Sequence, residues 1–393
     1  MSSYSEWERG IANRNYHIFR YLLNDERVKR IIAVDFLPFT LKRAVRNYLE
    51  NIVSGPKGKI VYRDWTTKCT KISDKLFIFS TIDSYFFSKI VIKKLNLVLS
   101  KIPQLSVPRI VWSYFPMFVD YFGQINESLT VFDTVDNWLE HPSYFKYKEK
   151  LKMNYQIIAQ KSDLIFTVAE SLIDFFKNLG REKDVYWVAN GVDLEHFQKI
   201  TGVPKDIQKI PRPIIGYIGT IQNRVDINLL EYLAQKNPDK SLVLVGPTWP
   251  EFLKKFRRPA IEIQRLKKYK NVYFLGRKPY QESPNYIHQF DVAIIPHKLD
   301  EFIKYTHSLK LLEYLACGKP VVTTPASGVE KFSHLVYITQ DYRDFNEKIQ
   351  KALSENKPEL GRLRIEVVKE YFWQSKIEQI MEIINEKLED RHH

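Results

Sequence analysis

The chain is predicted to be an α/β protein built from two parallel-sheet domains, and three observations predict it. Its 393 residues exceed what one compact core holds and suit two domains. Its C-terminal half alternates short, continuous apolar runs with segments of helical spacing, the pattern of a parallel sheet covered on both faces. Several of those runs close on glycine, which marks a turn at a strand end.

The elements of the C-terminal half follow in order. PIIGYIGT (213–220), SLVLVGP (241–247) and NVYFLG (271–276) read as strands ending in glycine. INLLEYLAQK (227–236) has the apolar spacing of a helix, and YQESPNYIHQF (280–290) reads as a shorter one. DVAIIPH (291–297) is a fourth strand. HSLKLLEYLACGKP (307–320) is a helix stopped by Gly318 and Pro320. PVVTT (320–324) and HLVYIT (334–339) are further strands, and residues 372–389 form an amphipathic helix expected to pack across a surface.

In the N-terminal half, strands are expected at 30–36, 59–64, 75–81, 109–114, 128–134, 163–168 and 185–190. A Rossmann-like half ordinarily opens on a strand, whereas this chain opens on SSYSEW and a helix. Residues 195–212 hold two prolines and no strong periodicity. The expected organisation is therefore a first domain at 1–198, a linker at 199–212, a second domain at 213–371 and a terminal helix at 372–393. His392 and His393 resemble a tag remnant and are left out of this reading.

Composition narrows the function classes. At 44% hydrophobic and 27% charged residues the chain is neither low-complexity nor disordered. Two distant cysteines, Cys69 and Cys317, exclude a disulfide framework and a multi-cysteine zinc site, and suit a reducing cytoplasm. The start has no signal-peptide character, and no apolar run approaches the ~20 residues that span a bilayer. The net charge of +14 is unevenly placed. Residues 1–110 hold 20 Lys/Arg against 9 Asp/Glu, a net of +11, whereas residues 111–198 hold 8 against 13, a net of −5. An anionic membrane, a phosphorylated acceptor or nucleic acid would each respond to such a field; solubility alone is the plainer account.

GxGxxG after a strand, HExxH, GxSxG and a P-loop are all absent, as is any Asp-x-Asp pair that would bring a metal to a diphosphate. What remains is DVAIIPHKLDEFIKYTHSLKLLEYLACGKPVVTTP (291–325). A buried strand ends at Pro296, and after a polar loop a helix starts near Thr306–Ser308. Its free N–H groups and positive dipole end suit a diphosphate. Lys310 in its first turn would add a point charge, and Glu313 would accept two hydrogen bonds from a ribose diol. The plain alternative is an amphipathic helix with Lys310 and Glu313 as a solvated pair.

This stretch resembles the donor-site signature of retaining glycosyltransferases of family 4, and most of all the bacterial cell-surface polysaccharide, teichuronic-acid-type branch. SLKLLEYLACGKPVV (308–322) matches its PLK-x-x-EYLA-x-GKPVV pattern. GYIGTIQNRVDINLL (216–230), NVYFLGRKPYQESPNYIHQFDVAIIP (271–296), and SDLIFTVAESL (162–172) with VANGVDLEHF (188–197) resemble three further blocks in order; VFDTVDNW (131–138) resembles another. The likeness covers residues 130–390 well and 1–130 weakly. It implies a GT-B fold, two Rossmann-like domains facing a central cleft, the first binding acceptor and the second a nucleotide-sugar. It implies donor-site roles for Gly219, Thr220, Arg224, Gly276, Arg277, His297, Thr306, Ser308, Leu309, Lys310 and Glu313. Arg14, Asn15, His17 and His141 fall on the acceptor side, and Asp133, Asp136, Arg224 and Lys310 are the catalytic candidates. Asp133 and Asp136 also read as strand-end or cap acids, and Asn190 and Gly191 as a turn.

Two positions depart from the family. Where many members carry a glutamate eight residues before the second one, this chain has Tyr305, and Arg224 is the only basic residue between Gly219 and Asp226. The expected activity is transfer of a sugar from a nucleotide diphosphosugar to an acceptor hydroxyl, with retention and without metal or other cofactor. Expected partners are that donor, a sugar or lipid-linked acceptor and an anionic membrane surface, with nucleic acid disfavoured. The expected place is the cytoplasm, at the inner membrane face. The rival expectation is a degenerate relative that binds nucleotide-sugar or nucleic acid without turnover.

Overall fold

Continuous apolar strands and amphipathic helices assemble into two units in the computed structural model, one of residues 1–188 with 377–393 and one of residues 189–376. The structure describes residues 4, 7, 12–35, 41, 44–45, 48–49, 55, 57–83, 88–221, 224–248, 257–326, 328–355 and 357–391.

In the first unit, helix α1 (Arg14–Asn24) precedes the strand β1 (Ile31–Val34), and Asn13 caps the helix through its side chain. β1 pairs in parallel with β4 (Leu76–Thr81), but the intervening β2 (Lys59–Arg63) and β3 (Thr67–Lys71) form an antiparallel hairpin, giving the order β1-β4-β3-β2. This departs from the all-parallel sheet expected. The connection Asp64–Thr66 is far too short for a parallel crossover, which needs a dozen or more residues. The pattern reading passed over β3 because TKCTK lacks bulky apolar residues, although Thr67, Cys69 and Thr70 are buried. Helix α2 (Ser88–Lys101) follows, and then a parallel sheet of β5 (Ile110–Ser113), β6 (Leu129–Thr134), β7 (Leu164–Thr167) and β8 (Val185–Trp187) with helices α3 (Lys148–Lys161) and α4 (Ser171–Asn178). One core joins them, with Phe77, Val98, Phe132, Tyr155 and Phe176 at its centre.

The second unit carries a six-stranded, all-parallel sheet. Its strands are β9 (Ile214–Ile218), β10 (Ser241–Val245), β11 (Val272–Gly276), β12 (Val292–Ile295), β13 (Val321–Thr323) and β14 (Tyr337–Ile338), in the order β11-β10-β9-β12-β13-β14. Its helices are α5 (Leu194–Gln198), α6 (Ile227–Lys236), α7 (Arg257–Leu266), α8 (Ser283–Ile287), α9 (Leu309–Ala316), α10 (Tyr342–Leu353) and α11 (Pro358–Val367). Alternate strand residues feed two cores: Ile214, Val243 and Ile295 face α9, while Ile215, Leu244 and Ile294 face α6 and α10. This is a doubly wound sheet, and the strand order reverses between β9 and β12.

The unit boundary falls at Val188 rather than at 198. Val192 bridges to Phe372, and Phe197, Ile207 and Ile210 are buried in the second unit's core, so the mostly exposed segment 199–212 is anchored to that unit at two isoleucines. The terminal helix α12 (Trp373–Asp390) starts in the second unit, and its residues from Ile377 onward group with the first.

Candidate donor site

Beyond Gly216 and Ala293, β9 and β12 stop pairing. The ring of Phe290 occupies the space above Gly216, where an added Cβ would lie 2.1 Å from it. The amide of Ile218, left without a strand partner on that side, donates instead to Tyr314 Oη at 2.9 Å. The sheet therefore opens at the carboxyl ends of these two strands, where doubly wound sheets bind ligands.

Three strands reach this edge through glycine at positive φ: Gly219 after β9, Gly246 after β10 and Gly276 at the end of β11. They touch in series, Gly219 donating to Val245 O and Gly246 to Gly276 O, each at 2.8 Å. A Cβ on Gly246 would lie 2.0 Å from Gly219 O, and one on Gly219 would lie 2.2 Å from Lys310 Cε. These two positions thus require glycine, the first for backbone approach and the second because a lysine stem lies over it.

Lys310 belongs to the first turn of α9, which Ser308 caps by accepting from the Leu311 amide at 3.3 Å. Leu309 contributes its backbone at the helix start. The ammonium of Lys310 lies 5.8 Å from the centroid of the Tyr217 ring. Arg224 comes from the other side of the opening. Backbone bonds Asp226 N–H to Pro296 O (2.8 Å) and Lys298 N–H to Arg224 O (2.9 Å) fasten its loop to the segment after β12, and its guanidinium stacks 4.6 Å from the Phe302 ring centroid. His297 is buried in the same place.

The electrostatics follow from this proximity. His297 is held well below its ordinary value by burial and then by the charges of Lys310 and Arg224, so the imidazole is neutral. Burial also lowers Lys310, with Glu313 opposing and Arg224 adding to the shift. Burial pushes Glu313 up to about 7 against the pull of Lys310. Among the described residues, no side-chain hydrogen bond or ion pair engages Arg224, His297, Lys310 or Glu313. Two cations, a neutral imidazole and a carboxylate thus converge unsatisfied beside a helix N-terminus, an arrangement suited to a phosphate group with a hydroxyl-bearing neighbour.

Other predicted residues have different surroundings. The Thr306 hydroxyl is turned to Ile303 O at 3.0 Å, closing a local turn, and the Thr220 carbonyl accepts from Tyr217 Oη at 3.3 Å. Arg277 is exposed past β11. Tyr305 ends a short 3-10 turn in which Glu301 pairs with Lys304 at 2.6 Å. Asn190 does more than shape a turn: its side-chain amide donates to His307 O at 2.8 Å, holding the approach to α9, while Trp373 packs where a Cβ on Gly191 would sit. Sequence reasoning missed Tyr217, Phe302 and Tyr314, whose apolar character reads as core; Gly246 had a signal, since it closes a predicted strand.

In the first unit, Asp133 is fully buried inside β6 and paired with Arg14, whose Nε lies 3.0 Å from Oδ1 and 3.1 Å from Oδ2. Arg14 Nη1 also donates to Val188 O at 2.9 Å. Of the two roles expected for Asp133, catalytic candidate or strand-end acid, its burial and pairing fit the second, and Arg14, expected on the acceptor side, is its partner: together they lock α1 to the ends of β6 and β8. Asn15 and His17 are buried with them. Asp136 lies just past the strand and is partly exposed. His141 stacks on Trp138 with ring centroids 5.7 Å apart.

Comparison with known proteins adds what the chain is similar to. Residues 212–355 match the family described as Glycosyl transferases group 1. TuaH of Bacillus subtilis strain 168, which bears the name of a teichuronic acid biosynthesis glycosyltransferase, is 25% identical over 397 residues, spanning 96% of this chain and 94% of its own. The chain is a glycosyltransferase with a group 1 domain. Among solved structures, Anabaena Alr3699/HepE in complex with UDP and glucose has a TM-score of 0.61 at 16% identity, over 79% of this chain and 86% of that one. A trehalose-6-phosphate synthase studied for glycosyltransfer with retention has a TM-score of 0.64 at 13% identity, over 91% of this chain and 99% of its own. These likenesses give the glycosyltransferase its GT-B fold. The group 1 match covers every residue from Gly219 to Glu313 in the opening described above.

Proposed function

We propose that this glycosyltransferase moves a sugar from a nucleoside diphosphosugar to an acceptor hydroxyl, with retention and without a metal, in the synthesis of a cell-surface polysaccharide or glycolipid at an anionic membrane surface. One observation carries the donor reading: Arg224, Lys310, neutral His297 and Glu313 converge unsatisfied beside the start of α9. Arg224, Lys310 and the α9 amides stabilise the negative charge that gathers on the diphosphate as the sugar–oxygen bond breaks. Glu313 takes the ribose diol, and His297 offers a neutral imidazole to a sugar or phosphate oxygen. Asp136 is the proposed acceptor-side carboxylate. Retention is supported by the sequence resemblance and by the retaining synthase of like fold. The names of TuaH and of the UDP-bound HepE complexes support a surface polysaccharide and make UDP-sugars the first donors to test.

Release of nucleoside diphosphate that depends on both donor and acceptor tests the activity. Turnover is expected to survive EDTA, because cations of the chain stand where a metal would otherwise meet the diphosphate. Loss of activity restored by Mn²⁺ or Mg²⁺ would overturn this.

Glu313→Gln is expected to weaken nucleotide binding by about 1–3 kcal/mol, the range for a hydrogen bond to a charged group. Because the free carboxyl titrates at about 7, wild-type affinity should rise between mildly acidic and mildly alkaline pH as the acceptor form fills. The variant should lack that part of the pH dependence. Calorimetry showing equal affinities and parallel pH profiles would remove Glu313 from the site.

A further inference from the structure

The +11 of residues 1–110 has a structural counterpart at the tip of the β2–β3 hairpin, where Trp65 is 97% exposed. An indole with no packing partner is a poor choice for a solvated turn, since burying such a ring is among the larger hydrophobic gains available. The strands below it carry Lys59, Arg63 and Lys68, and Lys71 paired with Asp74. The two carboxylates at the turn, Asp64 and Asp83, are both taken by Lys94 of α2, at 3.1 and 3.0 Å, and Lys94 also bonds Thr66 Oγ1. The turn is thereby fastened to α2.

Helix α2 (SKIVIKKLNLVLSK) has four lysines and no acid. Its inner face, Val91, Leu95 and Val98, is in the core. Its outer face exposes Lys89 and Lys93 together with Ile90 at 42% and Leu97 at 44%. Leu41, Val45 and Leu49, helical and four residues apart, are also exposed. Tyr48 in that run feels the charges of Arg63, Asp64 and Lys94, which places it at the same turn. Lys42, Arg43 and Arg46, which with Lys89, Lys93 and Lys94 mix basic and apolar residues at helical spacing in the sequence, lie outside the described residues. Among the described residues no helix is long and apolar enough to cross a membrane.

We propose that the Trp65 turn and the acid-free outer face of α2 dock this protein on an anionic phospholipid leaflet, Trp65 entering the headgroup boundary while the surrounding lysines and arginine meet lipid phosphates. Exposed apolar side chains among an excess of cations fit an interface that is apolar below and anionic above. Duplex nucleic acid offers the phosphates without the apolar layer. The proposal rests on the membrane part of the reading above and gives it a place in the fold.

The test is flotation of the full-length protein with vesicles of phosphatidylcholine alone or with about 30% phosphatidylglycerol, at low salt and at about 0.15 M salt. The wild type should bind the anionic vesicles, less at the higher salt, and leave the neutral ones. Trp65→Ser should lower partitioning about tenfold at either salt, as loss of a buried ring implies, and Lys89→Gln/Lys93→Gln should flatten the salt dependence. UDP-induced thermal shifts should be unchanged in both variants. Wild-type partitioning by Trp65→Ser, equal binding to both vesicles, or preference for duplex DNA regardless of Trp65 would overturn the proposal. Absence of any nucleotide shift with lipid binding intact would instead count against the transferase chemistry alone.

Discussion

Lys310→Ala is expected to lower turnover about 10²–10³-fold, the loss seen when one preorganised group facing developing charge is removed. The reason is positional. The lysine stem lies across Gly219, the ammonium is partly desolvated, and among the described residues no hydrogen bond or ion pair consumes it. A charge in such a place acts on a departing diphosphate without reorganisation. Lys310→Arg should not restore the rate, because the stem lies against Gly219 and a planar fork needs more room there. Steady-state nucleoside diphosphate release, with circular dichroism as a check on folding, decides it. A variant within threefold of wild type would place the charge stabilisation elsewhere.

Arg14→Ala is expected to destabilise the protein by about 3–5 kcal/mol, because it leaves a fully buried carboxylate without its counter-ion. Asp133→Asn in the same background should recover part of the loss by removing the stranded charge. The pH dependence follows from linkage. Burial raises Asp133 above its ordinary value even with Arg14 present, and without Arg14 the folded-state value rises further. A carboxyl whose folded value exceeds its unfolded one contributes stability at low pH that is lost as pH rises through the folded value. The gap between variant and wild type should therefore be wider at pH 8 than at pH 5, by denaturant unfolding. A gap of equal size at both would mean that Arg14 acts through packing alone.

What could be read from the sequence shares one physical property: it is local. β9 and β10 were legible because a strand buried on both faces must be continuously apolar, the half-buried edge strand β11 because its run is short and apolar, and all three because each ends in a turn that favours glycine. α9 was legible from its Ser308 cap, its apolar spacing and its stop at Gly318, whose φ is +67°. Lys310 and Glu313 follow from their places in that helix and from family resemblance. Helices α7, α10 and α11 went unread among charged residues, and β3 because small polar residues fill its buried side.

Sequence alone thus determined the α/β class, helix α9 and the placing of Lys310 and Glu313 on it, since periodicity, caps and strand ends act over a few residues. Only the tertiary structure decided which charges are spent and which are available. Asp133 meets Arg14 across 119 positions and is neutralised in the core, whereas Arg224, His297 and Lys310, each with an ordinary structural reading, gather where β9 and β12 part. Desolvation and Coulomb interaction depend on distance in space, and no spacing along the chain encodes that.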